Sequence, residues 1–191
     1  MTATTAHRKA ELRAAALARR SLVPEALRAQ AAEAIAAHAA QVLEALRPRI
    51  VAGSMPFRGE VDPWPVLRRA AALGAAIALP AVEGEALVFR RWSPGLQLVR
   101  APFGMLEPPA DAEALTPDLI LMPLVGFDRA RRRLGYGRAY YDRTVAALRA
   151  AGHAPLLMGL AFAVQEVAAI PAEGHDVPLD WLVTEAGIIG P

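Results

Sequence analysis

The stretch "DLILMPLVGFD" (118–128) limits this chain more than any other. It is apolar almost throughout and does not alternate, so as a strand it offers no face to water. Such a strand belongs at the centre of a sheet covered on both sides, which is the habit of parallel sheets flanked by helices. The rest of the chain supplies the covering layers. Residues 6–20 and 24–46 read as two Ala-rich helices, the second with Pro24 near its first turn. "RIVAGSMPF" (49–57) reads as a first buried strand, and Asp62 caps a helix with Pro63 in its first turn and Gly74 just past its end. "AAIALPAV" (75–82) and "ALVFRRW" (86–92) make a hairpin through Glu83-Gly84-Glu85, followed by a Pro- and Gly-rich loop. A helix spans roughly 140–150 and stops at Gly152, and "PLLMGLAF" (155–162) and "WLVTEAGII" (181–189) are the last strands. The expectation is one α/β domain over residues 1–191, a mostly parallel central sheet flanked by helices, with an antiparallel hairpin.

Composition removes several function classes. No apolar run approaches the ~20 residues a membrane helix needs. The N-terminus "MTATTAHRKAELRAAALARR" is charged throughout and does not read as a secretory signal. There is no cysteine, so thiolate chemistry and disulfides are excluded, and His7, His38, His153 and His175 never come in ligand-like pairs. A cytoplasmic protein without membrane or nucleic-acid partners is expected.

The charge is local. Net charge is only +2, yet the segment from Asp128 to Arg143 holds six arginines against two aspartates, so the remainder of the chain is net negative. Within it, "RRRLGYGRAYYDR" (131–143) follows the presumed central strand and precedes a helix, the position where open α/β sheets bind ligands. Glycines admit close backbone approach, and a helix N-terminus favours an anion. The P-loop pattern is missing, and G-x-G-x-x-G fails at Tyr140. On the residues alone, nucleotide phosphates, a nucleic-acid backbone and plain solvent all stay open as partners of this loop.

"LMPLVGFDRARRRLGYGRAYYDR" resembles the 5-formyltetrahydrofolate cyclo-ligase family, also called 5,10-methenyltetrahydrofolate synthetases. Lys9-x-x-x-Arg13 with Arg19-Arg20, "PFRGEVD" (56–62), "FGMLEP" (103–108), "GLAF" (159–162) and "HDVPLD" (175–180) are similar to further family blocks in the same order. The resemblance implies ATP-dependent ring closure. The formyl oxygen of 5-formyltetrahydrofolate is phosphorylated, a neighbouring nitrogen attacks the activated carbon, and phosphate leaves. The products are 5,10-methenyltetrahydrofolate, ADP and phosphate.

By that resemblance, ATP is bound by Lys9, Arg13 and the run Arg133, Leu134, Gly135, Tyr136, Gly137, Arg138, Ala139, Tyr140 and Tyr141. The folate is bound by Met55, Glu60, Gly137, Arg138 and Tyr140, and Mg2+ by Asp142 and Asp176. Lys9 is the one lysine beside 20 arginines, and a compact ammonium suits a phosphate as a point charge. Of Tyr140 and Tyr141, one is expected in the site and one in the core. Asp142 has a second reading as a partner of Arg143, and Asp180 as a brace for the next strand. Glu107 reads as structural, Phe57, Trp64 and Phe103 as core aromatics within reach of the pterin, and Arg129 and Arg131 as solvent-facing. Most family members have glycine where this chain has Ala139. That departure motivates an alternative, a divergent paralogue that binds folate or nucleotide without closing the ring. Ala139 itself is expected in ordinary right-handed geometry at the helix start. A monomer acting on small molecules is expected.

Overall fold

The structure is a computed structural model, and it describes residues 4–101, 104–173 and 176–191. Seven strands form the main sheet: β1 (Ile50–Ala52), β2 (Ala76–Glu83), β3 (Ala86–Trp92), β6 (Leu119–Met122), β9 (Leu156–Leu160), β10 (Trp181–Thr184) and β11 (Gly187–Ile189). Their order is β11-β10-β9-β6-β1-β2-β3, so the apolar strand at 119–122 sits at the centre as expected. The five inner strands are parallel, while β3 and β11 close the two edges antiparallel.

Strand β6 is buried on both faces because its side chains alternate between two packed layers. Leu119 and Leu121 join the cluster under α2 (Glu25–Leu46) and α3 (Trp64–Ala72). Ile120 and Met122 join the opposite cluster, under Val145 of α4 (Tyr140–Ala150). Each of these four is at most 2% exposed, and burial of such a side chain is worth about 1.5–3 kcal/mol. The Asp118 carboxylate accepts from the Arg49 and Ile50 N–H groups at 2.8 and 3.0 Å, fixing where β1 starts beside β6. Asp180 does the same for β9, accepting from the Leu157 N–H at 2.7 Å, so it braces the preceding strand rather than the next one as expected.

Three expected strands are shorter or divided. The first covers only residues 50–52, because the chain turns away after Gly53, whose Cα lies so close to Leu67 that a Cβ would sit 2.6 Å from that side chain. The 118–128 run breaks at Pro123, which has no N–H to give the ladder. Its end becomes β7 (Gly126–Phe127), paired antiparallel with β8 (Arg133–Leu134) as a ribbon above the sheet. The last run is a hairpin, with the Thr184 hydroxyl accepting from the Ala186 N–H at the turn. The 93–117 loop also contains a short pair, β4 (Val99–Arg100) and β5 (Leu106–Glu107).

The first helix, α1 (Thr5–Ser21), packs on the ribbon rather than on the main sheet. Ala16, Val125, Leu134, Val167 and Ile170 form this separate cluster. Helix α1 thereby carries its charged residues to the carboxyl end of the central strand.

Candidate active site

A cleft of about 780 Å³ opens where the ribbon, α1 and the start of α4 meet the carboxyl end of the sheet. Every residue expected in the site lines it. Lys9 and Arg13 come from α1, Met55 and Glu60 from the loop after β1, and residues 133–142 from the ribbon and α4, while Asp176 comes from the loop before β10.

At one end Lys9 and Arg133 are held by carboxylates. Lys9 is 6% exposed, and its ammonium donates to Glu173 at 2.5 Å and to Asp176 at 2.7 Å. Burial alone would lower its pKa, but the bonds to Asp176 and Glu173 outweigh this and hold it above the ordinary lysine value. Arg133 donates from Nη2 to Asp142 at 2.6 Å, so the partner of Asp142 is Arg133 rather than Arg143. The Arg143 Nε donates to the Glu85 carbonyl, and its guanidinium lies 5.3 Å from the Tyr140 ring centre. The buried Nε of Arg133 makes no hydrogen bond among the described residues, a donor with capacity for an anionic acceptor. Arg13 donates to the Gly135 carbonyl at 2.7 Å and ties α1 to the glycine loop.

At the other end lies Glu60. One of its oxygens accepts from the Phe57 N–H at 3.0 Å. Burial pushes its carboxyl above the usual carboxylate range, while the Phe57 N–H, the Tyr136 hydroxyl and the Arg20 charge pull it back. Burial and the Glu60 charge likewise raise the Tyr136 hydroxyl, opposed by Arg20. Tyr141 packs against the α4-side core and also lines the cleft, so it serves core and cleft at once. Its phenol is raised well above the ordinary tyrosine value, first by burial and then by Glu60.

Two expectations fail here. Ala139 has φ 53° and ψ 19°, a left-handed conformation, because the chain must reverse between Gly137 and the first turn of α4. Arg131 is not solvent-facing. It too has positive φ, and its guanidinium donates to the carbonyls of Leu179 and Gly190, bracing the ribbon against the β9–β10 region. Arg129 is exposed and pairs with Glu166. Arg132 donates to the Ile170 carbonyl and, at 3.5 Å, to Asp128. Much of the basic loop is therefore internal bracing. Asp128, 2% exposed, is its anchor, accepting from the N–H groups of Ala130, Arg132 and Ile170.

Glu107 accepts from the Val82 N–H at 3.1 Å, a structural role, although it also borders the cleft. Trp64 packs on Trp92 with ring centres 4.4 Å apart, away from the cleft, whereas Phe57 lines it. Phe103 and His175 lie outside the described residues.

The profile of the 5-formyltetrahydrofolate cyclo-ligase family matches residues 5–185. The chain belongs to this family of ligases. A 5-formyltetrahydrofolate cyclo-ligase from Mycolicibacterium smegmatis is 33% identical, covering 95% of this chain and 96% of that one. One from Escherichia coli is 31% identical over 72% of this chain and 79% of its own. Among solved structures, the NMR structure of Aquifex aeolicus 5,10-methenyltetrahydrofolate synthetase superposes with a TM-score of 0.78 at 31% identity, covering 94% of this chain and 91% of that one. The synthetase from Mycoplasma pneumoniae, 21% identical, shares the fold with a TM-score of 0.74 over 93% and 98%.

Sequence reasoning missed several residues of this cyclo-ligase cleft. Glu173 had no signal, being one carboxylate in a Pro- and Ala-rich loop that only folding brings to Lys9. Ser54 was absorbed into a strand that ends two residues earlier. Arg20, named only within a family block, does not line the cleft but is 2% exposed and donates to Tyr136, which does.

Proposed function

We propose that this cleft converts 5-formyltetrahydrofolate to 5,10-methenyltetrahydrofolate, consuming ATP in the presence of magnesium and releasing ADP and phosphate. The observation that carries the reading is the pairing at the nucleotide end. Each buried cation proposed for phosphate, Lys9 and Arg133, rests on a carboxylate proposed for the metal, Asp176 and Asp142. Asp176 and Asp142 would hold the magnesium of a bound triphosphate while Lys9 and Arg133 would pass to its phosphate oxygens, and Glu173, the second partner of Lys9, is exposed enough to be left to solvent. Two carboxylates with phosphate oxygens and water suit magnesium, which would neutralise charge on the phosphates.

The other roles follow from reach and chemistry. Arg13 and Arg138 add positive charge beside the phosphates, and residues 134–137 offer backbone at close range, with Gly137 at φ 88° where a side chain would be strained. Leu134, Tyr136, Ala139, Tyr140 and Tyr141 complete the nucleotide wall. Glu60 accepts from the amino-pyrimidinone edge of the pterin, Met55 packs on it, and Gly137, Arg138 and Tyr140 border both substrates. The formyl oxygen then attacks the terminal phosphorus and ADP leaves. The neighbouring nitrogen attacks the activated carbon, loses its proton, and phosphate departs with the former formyl oxygen. Catalysis of this kind is chiefly positioning and charge neutralisation. We take the protein to work as a cytoplasmic, single-domain monomer. Among the described residues, no helix is long and apolar enough to cross a membrane.

The test is to mix protein, ATP, magnesium and 5-formyltetrahydrofolate and follow the near-ultraviolet absorbance of the methenyl product. A rising absorbance supports the reading. Binding of both ligands without product would favour the non-catalytic paralogue, a reading that the left-handed Ala139 keeps specific.

A further inference from the structure

Lys9 carries one carboxylate more than the proposed exchange needs. Its ammonium donates to Glu173 at 2.5 Å and to Asp176 at 2.7 Å, whereas Arg133 pairs with Asp142. Two cations therefore face three carboxylates before any nucleotide arrives. Glu173 and Asp176 close a short turn on one another. The Glu173 N–H donates to the Asp176 carboxylate at 2.8 Å, and the Asp176 N–H donates to the Glu173 carbonyl at 3.0 Å. One turn thus delivers both carboxylates to Lys9, and the same Asp176 oxygen accepts from Lys9 and from the turn.

The two partners differ in what nucleotide binding leaves them. On the proposed reading Asp176 passes to magnesium, while Glu173 is left without a cation. They also differ from Lys9 in freedom. The Lys9 side chain is 8% exposed and that of Glu173 is 39% exposed. The ammonium stays in the cleft and meets whichever anion reaches it, whereas the Glu173 carboxylate can turn to water.

We propose that Glu173 is an affinity-setting residue of the nucleotide site: an internal anion that occupies Lys9 and that a phosphate must displace. This rests on the reading of Lys9 as a phosphate-binding cation. A ligand binds more weakly in proportion to the share of molecules whose site is held in another state. The competitor here is part of the chain, so dilution does not relieve it. Once displaced, Glu173 also lies beside a phosphate of its own charge sign, which disfavours the bound state further. The contact re-forms as product nucleotide leaves, so it opposes ADP as well as ATP.

Glu173→Gln tests this, because it keeps the shape of the side chain and removes its charge. Calorimetric titration in the presence of magnesium should show ATP binding about three- to tenfold tighter than in wild type, with ADP moving the same way. Glu173→Ala, which also removes any amide contact to Lys9, should tighten ATP at least as much. The gain should largely disappear when Glu173→Gln is made in a Lys9→Ala background, since nothing is then contested. Unchanged or weaker ATP binding in both Glu173 variants, with Lys9→Ala weakened, would overturn the competition and leave the reading of the site intact. An equal gain with Lys9 absent would overturn it as well, leaving only general repulsion. Wild-type ATP affinity in Lys9→Ala would overturn the reading of Lys9 and this proposal with it.

Discussion

The two ends of the cleft handle buried charge in opposite ways. At the proposed nucleotide end, Lys9 is neutralised by two carboxylates, Glu173 and Asp176, and Arg133 by one, Asp142, contacts that a competing anion and cation can replace. At the folate end, Glu60 is held by the Phe57 backbone N–H, a contact with no charge-for-charge substitute in either substrate. The difference teaches what each end is built to do. On the proposed reading, one end exchanges partners and the other keeps a fixed template.

Breaking the exchangeable end should cost most. Arg133→Ala leaves Asp142 without its partner and removes a charge-assisted contact to phosphate, so ATP affinity should fall about 10- to 100-fold while folate affinity holds. Lys9→Ala should behave alike, and calorimetric titration of both ligands checks both variants. An equal fall for the two substrates would erase the distinction between the ends.

The template end should respond less to substitution and more to acid. Glu60→Gln turns an acceptor into a donor facing donors, so folate affinity should drop roughly tenfold with ATP unaffected. Burial holds the Glu60 carboxyl above its ordinary value, so folate affinity should fall as pH is lowered, beginning above the usual carboxylate range near ~4.3. Its linkage to stability has the opposite direction. A carboxyl raised on folding binds more protons when native, so its contribution is present at low pH and is lost as pH rises through the raised value. Glu60→Gln should therefore raise the Tm of ligand-free protein slightly at neutral pH. A lower Tm would point to a bracing role for the ionised carboxylate.

The smallest effect concerns Ala139. At φ 53° the alanine is strained, and Ala139→Gly should stabilise the protein by no more than ~1 kcal/mol, with a gain in turnover or ATP affinity below about tenfold. Thermal melts and ATP kinetics check it. Flat kinetics with lower stability would mean that the loop relaxes to right-handed geometry in solution.

The layered fold was legible because its signals are local. An unalternating apolar run can only be a central strand, and Gly74 and Gly152, both with positive φ, mark helix ends. The residues that line the cleft were named through motif resemblance. What stayed hidden depends on contacts distant in sequence. Glu173 meets Lys9 across 164 positions, and Arg20 meets Tyr136 across 116. No periodicity reports such a meeting. The left-handed Ala139 was missed for a different reason. Helix propensity at Tyr140 onward says nothing about the angle at which the chain enters, and here the preceding glycine loop decides it.

The exchanging end and the template end are proposed to serve one coupled reaction. Its most direct test measures ADP and methenyl product together in a single mixture, then again with ATP, magnesium or 5-formyltetrahydrofolate omitted in turn. The account predicts equal amounts of the two products in the full mixture and neither when any component is missing. ADP released without 5-formyltetrahydrofolate, or methenyl product formed without ATP, would contradict it.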